Sequence, residues 1–166
     1  MTPLRTAAIA AALLVAAALV AGPAAARQHG SGGDDPPEVT REVLVEAAPA
    51  EAPGFEMYLV RVVIPPGGTI ATHYHPGTQM AQVQRGTLTY RILEGTATVL
   101  VRGDDGGEAV GEEVSAPSTV KLGPGEGVIE TPDLVHEAEN KGKKRITILL
   151  SALLPTGEPL SIPVES

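Results

Sequence analysis

The sequence predicts an all-β protein, built as a sandwich or a small barrel, and three observations carry this prediction. Glycine and proline are abundant, with 19 Gly and 15 Pro in 166 residues, which favours short strands and turns over long helices. Runs of β-branched and apolar residues alternate with turn signals such as Pro65–Gly68 and Gly123–Gly125. Beyond Ala26, no stretch carries the i, i+3, i+4, i+7 apolar pattern of an amphipathic helix.

The predicted strands follow each other at regular spacing, as in sandwiches and barrels. They are Glu42–Glu46, Glu56–Ile64, Thr69–Tyr74, Ala81–Gln84, Thr87–Leu93, Thr96–Arg102, Thr119–Lys121, Gly127–Ile129, His136–Ala138 and Arg145–Leu150.

The N-terminal segment Met1–Ala26 is predicted to be a signal peptide. Ala7–Ala21 contains only Ala, Ile, Leu and Val, and Ala24–Ala26 offers a cleavage site of small residues. A retained membrane anchor is the alternative, but a spanning helix of about 20 apolar residues would have to include Gly22 and Pro23. Either outcome exports the protein, so we expect a periplasmic or secreted location.

Residues 27–39 are predicted to form a disordered linker, because they are rich in Gly, Pro and Asp and lack apolar periodicity. His29 lies in this linker and is expected to be solvated. Residues 40–166 then form one β-barrel domain, with no internal repeat and no second domain.

Charge and composition exclude several function classes. The 12 Lys and Arg residues against 20 Asp and Glu give a net charge of −8, which argues against a nucleic-acid partner or an anionic membrane surface beyond the signal segment. The chain has no cysteine, so disulfides, thiolate metal sites and a cysteine nucleophile are excluded.

Three histidines lie at informative positions. His73 and His75 stand two residues apart on a predicted strand, where alternate side chains share a face, so both imidazoles can form one edge of a metal site. Gln79 follows the Pro76-Gly77 turn and can approach the same ion. His136 joins them only if the fold returns it to the same place.

The wider pattern around these histidines resembles the two motifs of the cupin family. The first motif here is Gly67, five residues, His73-Tyr74-His75, three residues, Gln79, six residues and Gly86. The second is Gly125, five residues, Thr131-Pro132-Asp133, two residues, His136, three residues and Asn140. The resemblance extends from about Phe55 to Leu160.

This resemblance implies an antiparallel double-stranded β-helix, or jelly-roll barrel, of six to eight strands with one divalent metal ion in its mouth. The ligand positions of the family correspond to His73, His75, Gln79 and His136. Gly67, Gly86 and Gly125 are expected at tight turns, and Asn140 is expected to anchor a turn through its amide. A homodimer is expected, since open edge strands need covering.

Gln79 stands where the family has a carboxylate, and this departure bears on the metal. A neutral amide leaves the charge of the ion uncompensated, which favours Fe, Ni, Cu or Zn over Mn. Alternatively, Gln79 stays away from the ion and leaves a three-histidine face with open positions, or it marks a decayed site. Asp133, which replaces a glycine of the second motif, is tolerated because Asp accepts left-handed backbone better than most residues.

Other residues near the motifs have ordinary structural explanations. Tyr74 is expected to pack on the face opposite the histidines, and Tyr90 and Met80 are expected to fill the core. Surface acids at the barrel rim are the expectation for Glu130, Asp133 and Glu137.

Two function classes follow for the exported protein. One is a metal-dependent enzyme, oxygenase-like, acting on a small oxygenated compound. The other is a non-catalytic module that binds or senses a metal or a small ligand. A small molecule is the expected partner in both.

Overall fold

The computed structural model describes residues 37–103, 107 and 110–164, and these ranges contain strands and turns but no helix. Within them, no helix is therefore long and apolar enough to cross a membrane. The predicted signal peptide and residues 27–36 of the predicted linker lie outside the described residues.

Twelve strands are present in the described part of the chain. They are β1 (Thr40–Ala47), β2 (Phe55–Ile64), β3 (Thr69–Tyr74), β4 (Thr78–Arg85), β5 (Leu88–Glu94), β6 (Thr96–Val101), β7 (Val110–Ser115), β8 (Ser118–Leu122), β9 (Gly127–Glu130), β10 (Val135–Glu139), β11 (Ile146–Pro155) and β12 (Ile162–Pro163).

The strands form two antiparallel sheets, one of seven strands in the order β1-β2-β11-β4-β9-β6-β7 and one of five in the order β12-β3-β10-β5-β8. The core lies between them, as the strict alternation of β11 shows: Ile146, Ile148, Leu150, Ala152 and Leu154 are buried, and the residues between them are half-buried. Such alternation is expected for strands that present one face to an apolar interior.

The predicted all-β jelly roll is confirmed, although the strands outnumber the six to eight that the resemblance implied. Each predicted strand is present, and β3 has the predicted bounds. The sequence analysis missed β7 and β12, which lie at edges of the two sheets. An edge strand need not bury either face, so it need not show alternation: β7 is almost wholly exposed, and β12 has two residues.

The motif glycines and Asn140 have the predicted structural roles. Gly86 has a φ of 84°, and a Cβ there would stand 2.9 Å from the Ile146 side chain, so glycine is required. Asn140 is buried, and its Nδ2 donates hydrogen bonds of 2.9 Å to the carbonyls of Ile64 and Lys144. Asn140 therefore ties the turn after β10 to the end of β2.

Candidate metal centre

The fold brings the three motif histidines together. His73 near the end of β3 and His136 on β10 are directly paired in the antiparallel register, which is how a residue about 60 positions away returns to the site. His75 follows β3 and shares the face of His73. All three side chains are buried, and their ligand nitrogens lie within 4.8 Å of one another.

Backbone carbonyls fix the orientation of two of these imidazoles. His73 Nδ1 is 2.7 Å from the Ala71 carbonyl oxygen, and His75 Nδ1 is 2.7 Å from that of Leu160. Because a carbonyl oxygen can only accept, Nδ1 of His73 carries the hydrogen and its Nε2 keeps the lone pair, whereas His75 Nδ1 lies close to both the Leu160 carbonyl and the Gln79 amide. Carbonyl partners of this kind commonly orient metal-binding histidines.

Burial favours the neutral form of His73 and His136, which metal binding requires. Burial, together with the nearby His136, lowers the pKa of His73 to about 4. Burial likewise lowers the pKa of His136, although Glu130 opposes this shift. A metal ion therefore does not have to displace a proton from either ring at neutral pH.

Glu130 is part of the site, and its assignment to the surface of the rim was wrong. The residue ends β9 and is only 4% exposed. Its Oε2 is 3.2 Å from His75 Nε2 and its Oε1 is 3.2 Å from His136 Nε2. Tyr90 donates a hydrogen bond of 2.9 Å to Oε1.

The sequence did contain a signal for Glu130. Val128 and Glu130 are alternate residues of one strand, so both belong to the same face, and Val128 is a core residue. Burial opposes ionisation of Glu130, but His136, His75 and the Tyr90 hydroxyl outweigh it and hold the pKa of this carboxyl below its ordinary value. The site therefore contains a negative charge that the motif comparison had assigned as missing.

Gln79 lies behind His75 rather than between the histidines. It is 1% exposed, and its Nε2 donates to the Leu160 carbonyl at 2.6 Å and lies 2.8 Å from His75 Nδ1. Its Oε1 is buried without a hydrogen-bond partner. Coordination by Gln79 stays a prediction, for which this Oε1 is the available atom.

The donor set fits a divalent transition metal ion. Glu130 places its two carboxylate oxygens 3.2 Å from His75 Nε2 and His136 Nε2. Two further buried polar atoms, Gln79 Oε1 and His136 Nδ1, lack hydrogen bonds of ordinary geometry. A cation would compensate these groups, and imidazole and carboxylate ligands suit Fe, Ni, Cu, Zn and Mn.

Two spaces that share lining residues adjoin the histidines. The inner cavity, of about 70 Å³, is lined by the three histidines, Gln79, Glu130, Tyr90 and aliphatic side chains between the sheets. The outer recess, of about 290 Å³, is lined by Arg41, Thr69–His73, Ser161 and Pro163. Residues lining both are Arg41, Ile70, His73 and Ser161.

The remaining sequence expectations are partly confirmed. Tyr90 is a core residue at 2% exposure, but Met80 is 52% exposed on β4 and does not fill the core. Glu137 is half-buried and pairs with Arg91 at 2.8 Å. Asp133 is exposed as expected, but its backbone is not left-handed, because no described non-glycine residue has positive φ; it accepts a 2.6 Å hydrogen bond from Thr131.

No protein-family model matches the sequence, and no curated protein matches it either. Solved structures do match. A cupin 2 domain-containing protein from Halorhodospira halophila is 20% identical with a TM-score of 0.48, over 76% of this chain and 69% of that one. A double-stranded β-helix protein from Klebsiella pneumoniae is 21% identical with a TM-score of 0.45, over 82% and 90%. Oxalate decarboxylase from Lactobacillus farciminis is 16% identical with a TM-score of 0.48, over 65% of this chain and 26% of the enzyme.

The two sequence motifs coincide with the strands that carry the histidines. The first motif, Gly67 to Gly86, contains β3 and β4, and the second contains β9 and β10. The pairing of β3 with β10 places His73 beside His136. Two antiparallel sheets thus enclose a histidine cluster drawn from both motifs, in the jelly-roll, or double-stranded β-helix, architecture that the cupin resemblance implied.

Proposed function

We propose that the protein binds one divalent transition metal ion through His73, His75 and His136 and uses it to bind and transform a small oxygenated compound. The observation that carries this proposal is the cluster of three buried imidazoles whose ligand atoms lie within 4.8 Å of one another. When bound, such an ion acts as a Lewis acid that polarises an oxygen atom of its ligand.

Glu130 supplies the anionic group of the proposed centre. Its two carboxylate oxygens face His75 Nε2 and His136 Nε2 at equal distances of 3.2 Å, and the Tyr90 hydroxyl holds one of them in place. This carboxylate weakens the argument against Mn, which assumed an uncharged ligand set. Three imidazoles still favour Fe, Ni, Cu or Zn.

The inner cavity supports a reaction on a small molecule. Its walls are mostly aliphatic, with Val62, Leu88 and Ile148 among the lining residues, while its polar groups are concentrated at the histidines. A largely apolar cavity with few convergent polar groups is typical of small-molecule sites. An oxygenase-like enzyme acting on a small oxygenated compound is the function we favour.

One observation favours the second function class, a module that binds a metal or a small ligand without catalysis. Glu130 is the carboxylate lining the inner cavity, and both of its oxygens are already engaged by His75, His136 and Tyr90. It is therefore poorly placed to serve as a general base unless one of these contacts opens.

We also propose that the protein works outside the cytoplasm, in the periplasm or secreted, because Met1–Ala26 has the composition of a signal peptide. N-terminal sequencing of the protein recovered from the periplasm or medium tests this. A mature N-terminus at Arg27 is expected, and recovery of the chain only from the cytoplasm would contradict export.

Elemental analysis of the untagged protein, purified without chelator, tests the metal centre. About one equivalent of Fe, Ni, Cu, Zn or Mn is expected in the wild type, and less than a tenth of that in His73→Ala and His136→Ala. The matched control is His29→Ala in the predicted linker, which should keep its metal. Equal metal content in all four proteins would overturn the assignment.

Turnover separates the two function classes. The metal-loaded protein is incubated with a panel of small 2-oxo and 2-hydroxy acids, and oxygen uptake and products are followed. Consumption that is lost in His136→Ala supports the enzyme. Binding of a panel member without consumption supports the module.

A further inference from the structure

Arg41 is exposed on the edge strand β1, on the strand face that adjoins the two spaces beside the histidines. It lies on β1 directly opposite Val62 of β2, and residues directly paired across antiparallel strands share a face. Val62 is 5% exposed and belongs to the core. Arg41 accordingly lines both the outer recess and the inner cavity, although it is exposed.

Arg41 has no acidic partner among the described residues. Its neighbours in the sheet satisfy their charges on the other face, where Arg61 pairs with Glu42 at 2.7 Å. No described residue forms an ion pair or a side-chain hydrogen bond with Arg41. Protein atoms nevertheless cover the guanidinium enough for burial to lower the pKa of Arg41.

Ser161 adds a second unused donor to the same place. It is half-buried in the segment before β12, lines both spaces, and has no side-chain hydrogen bond in the described part of the chain. The planar guanidinium matches a carboxylate with two parallel hydrogen bonds, and a hydroxyl can donate a third. His73, which lines both spaces as well, connects this donor pair to the metal centre.

We propose that Arg41 and Ser161 bind the carboxylate of a small anionic substrate, which enters through the outer recess and presents its other oxygenated group to the histidine centre. This inference rests on the proposed metal function and names the substrate class. A singly charged carboxylate fits better than a phosphate, because one guanidinium balances one negative charge. The two spaces, of about 70 and 290 Å³, have room for a small molecule of this kind.

Calorimetric titration of the metal-loaded, full-length protein tests this proposal, with pyruvate as the anionic probe and pyruvamide as its uncharged counterpart. The wild type is expected to bind pyruvate at least about 10-fold more tightly than pyruvamide. Arg41→Gln should lose this preference, because a charge-assisted pair is removed. Ser161→Ala should weaken pyruvate binding by a smaller factor.

Arg61→Gln is the matched control, since Arg61 lies on the outer face and pairs with Glu42; its pyruvate affinity should equal that of the wild type. Thermal denaturation and metal content are measured for every variant, so that misfolding is recognised. Equal affinity for pyruvate in Arg41→Gln and wild type would overturn the proposal, as would absent pyruvate binding by the metal-loaded wild type. A wild type that takes up no metal would instead overturn the metal function, and this inference with it.

Discussion

Gln79 and Glu130 lie directly opposite each other on β4 and β9, with an amide on one strand and a carboxylate on the other. The Cβ atoms of side chains paired in this way lie about 4.5–5.5 Å apart, so the two side chains are neighbours on the same face of the sheet. Both residues are almost completely buried. The carboxylate that the motif comparison expects at position 79 is thus present one strand away, against the same histidines.

The first prediction concerns the charge of Glu130. Glu130→Gln keeps the size of the side chain and its position beside Tyr90, but it removes the negative charge that faces His75 and His136. Metal affinity is expected to fall about 10- to 100-fold, as for other changes to groups that support a metal site. Competition with a chromogenic chelator measures this change.

Glu112→Gln provides the control for this variant, because Glu112 is exposed on β7 and the substitution removes the same charge at the surface. Its metal affinity should be that of the wild type. If Glu130→Gln and Glu112→Gln bind metal equally well, Glu130 acts only as the hydrogen-bond partner of Tyr90.

The second prediction tests whether Gln79 coordinates. Gln79→Glu places a second carboxylate in the centre. If Oε1 of residue 79 is a ligand, the affinity for Mn, the harder ion, should rise relative to that for Zn. The ratio of bound Mn to bound Zn, measured after equilibration with both ions, is expected to rise at least several-fold. Gln84→Glu, at an exposed position of the same strand, should leave the ratio unchanged. Equal Mn-to-Zn ratios in both variants would indicate that Gln79 does not coordinate the ion and only positions His75, together with the Leu160 carbonyl.

Local patterns predicted most of the fold. β-Branched residues bounded by Gly- and Pro-rich turns identified β3 at its observed bounds, because Gly68 precedes the strand and Pro76-Gly77 follows it closely. β7 carries no such pattern: Glu112 and Glu113 are adjacent and both exposed, since nothing covers this edge of the sheet. It is identified instead by its antiparallel pairing with β6, the preceding strand, which the residue pattern of β7 alone does not indicate.

The residues of the candidate site likewise fall into two groups: those that local patterns predict and those whose position depends on strand pairing. His73 and His75 could be predicted because they follow the two-residue period of one strand, and motif spacing added His136. Glu130 was missed because an acidic residue beside a turn is ordinarily exposed. Its burial depends on the register between β4 and β9, and Arg41 depends similarly on its pairing with Val62.

The third prediction concerns the hydrogen bond from Tyr90 to Glu130 and its contribution to stability with and without a bound metal ion. Tyr90→Phe removes the hydroxyl that donates to Oε1 at 2.9 Å and leaves a buried carboxylate oxygen with one partner fewer. The free energy of unfolding of the metal-free protein is expected to fall by about 1–3 kcal/mol, measured by urea denaturation. Metal loading should recover part of this loss, because the ion satisfies the same carboxylate.

Tyr74→Phe is the matched control for this experiment. Tyr74 is half-buried on β3, and no hydrogen bond involves its hydroxyl in the described structure, so its removal should change the free energy of unfolding by less than about 0.5 kcal/mol. If Tyr74→Phe lowers the free energy of unfolding as much as Tyr90→Phe does, the loss in Tyr90→Phe cannot be attributed to the hydrogen bond with Glu130.

The fourth prediction distinguishes a structural motif residue from the metal ligands. Asn140→Ala removes two donated hydrogen bonds and the one that its Oδ1 accepts from the Gly142 amide. The buried carbonyl of Ile64 loses this donor, so the free energy of unfolding should fall by about 2–4 kcal/mol. The metal content of the folded fraction should nevertheless equal that of the wild type, because Asn140 acts on the turn after β10 and not on the histidines. The matched control is Lys143→Ala, because Lys143 is exposed in the same turn; this substitution should alter neither the free energy of unfolding nor the metal content.

Loss of metal from Asn140→Ala at temperatures where its circular dichroism is native would contradict this prediction, because it would show that the turn also positions His136.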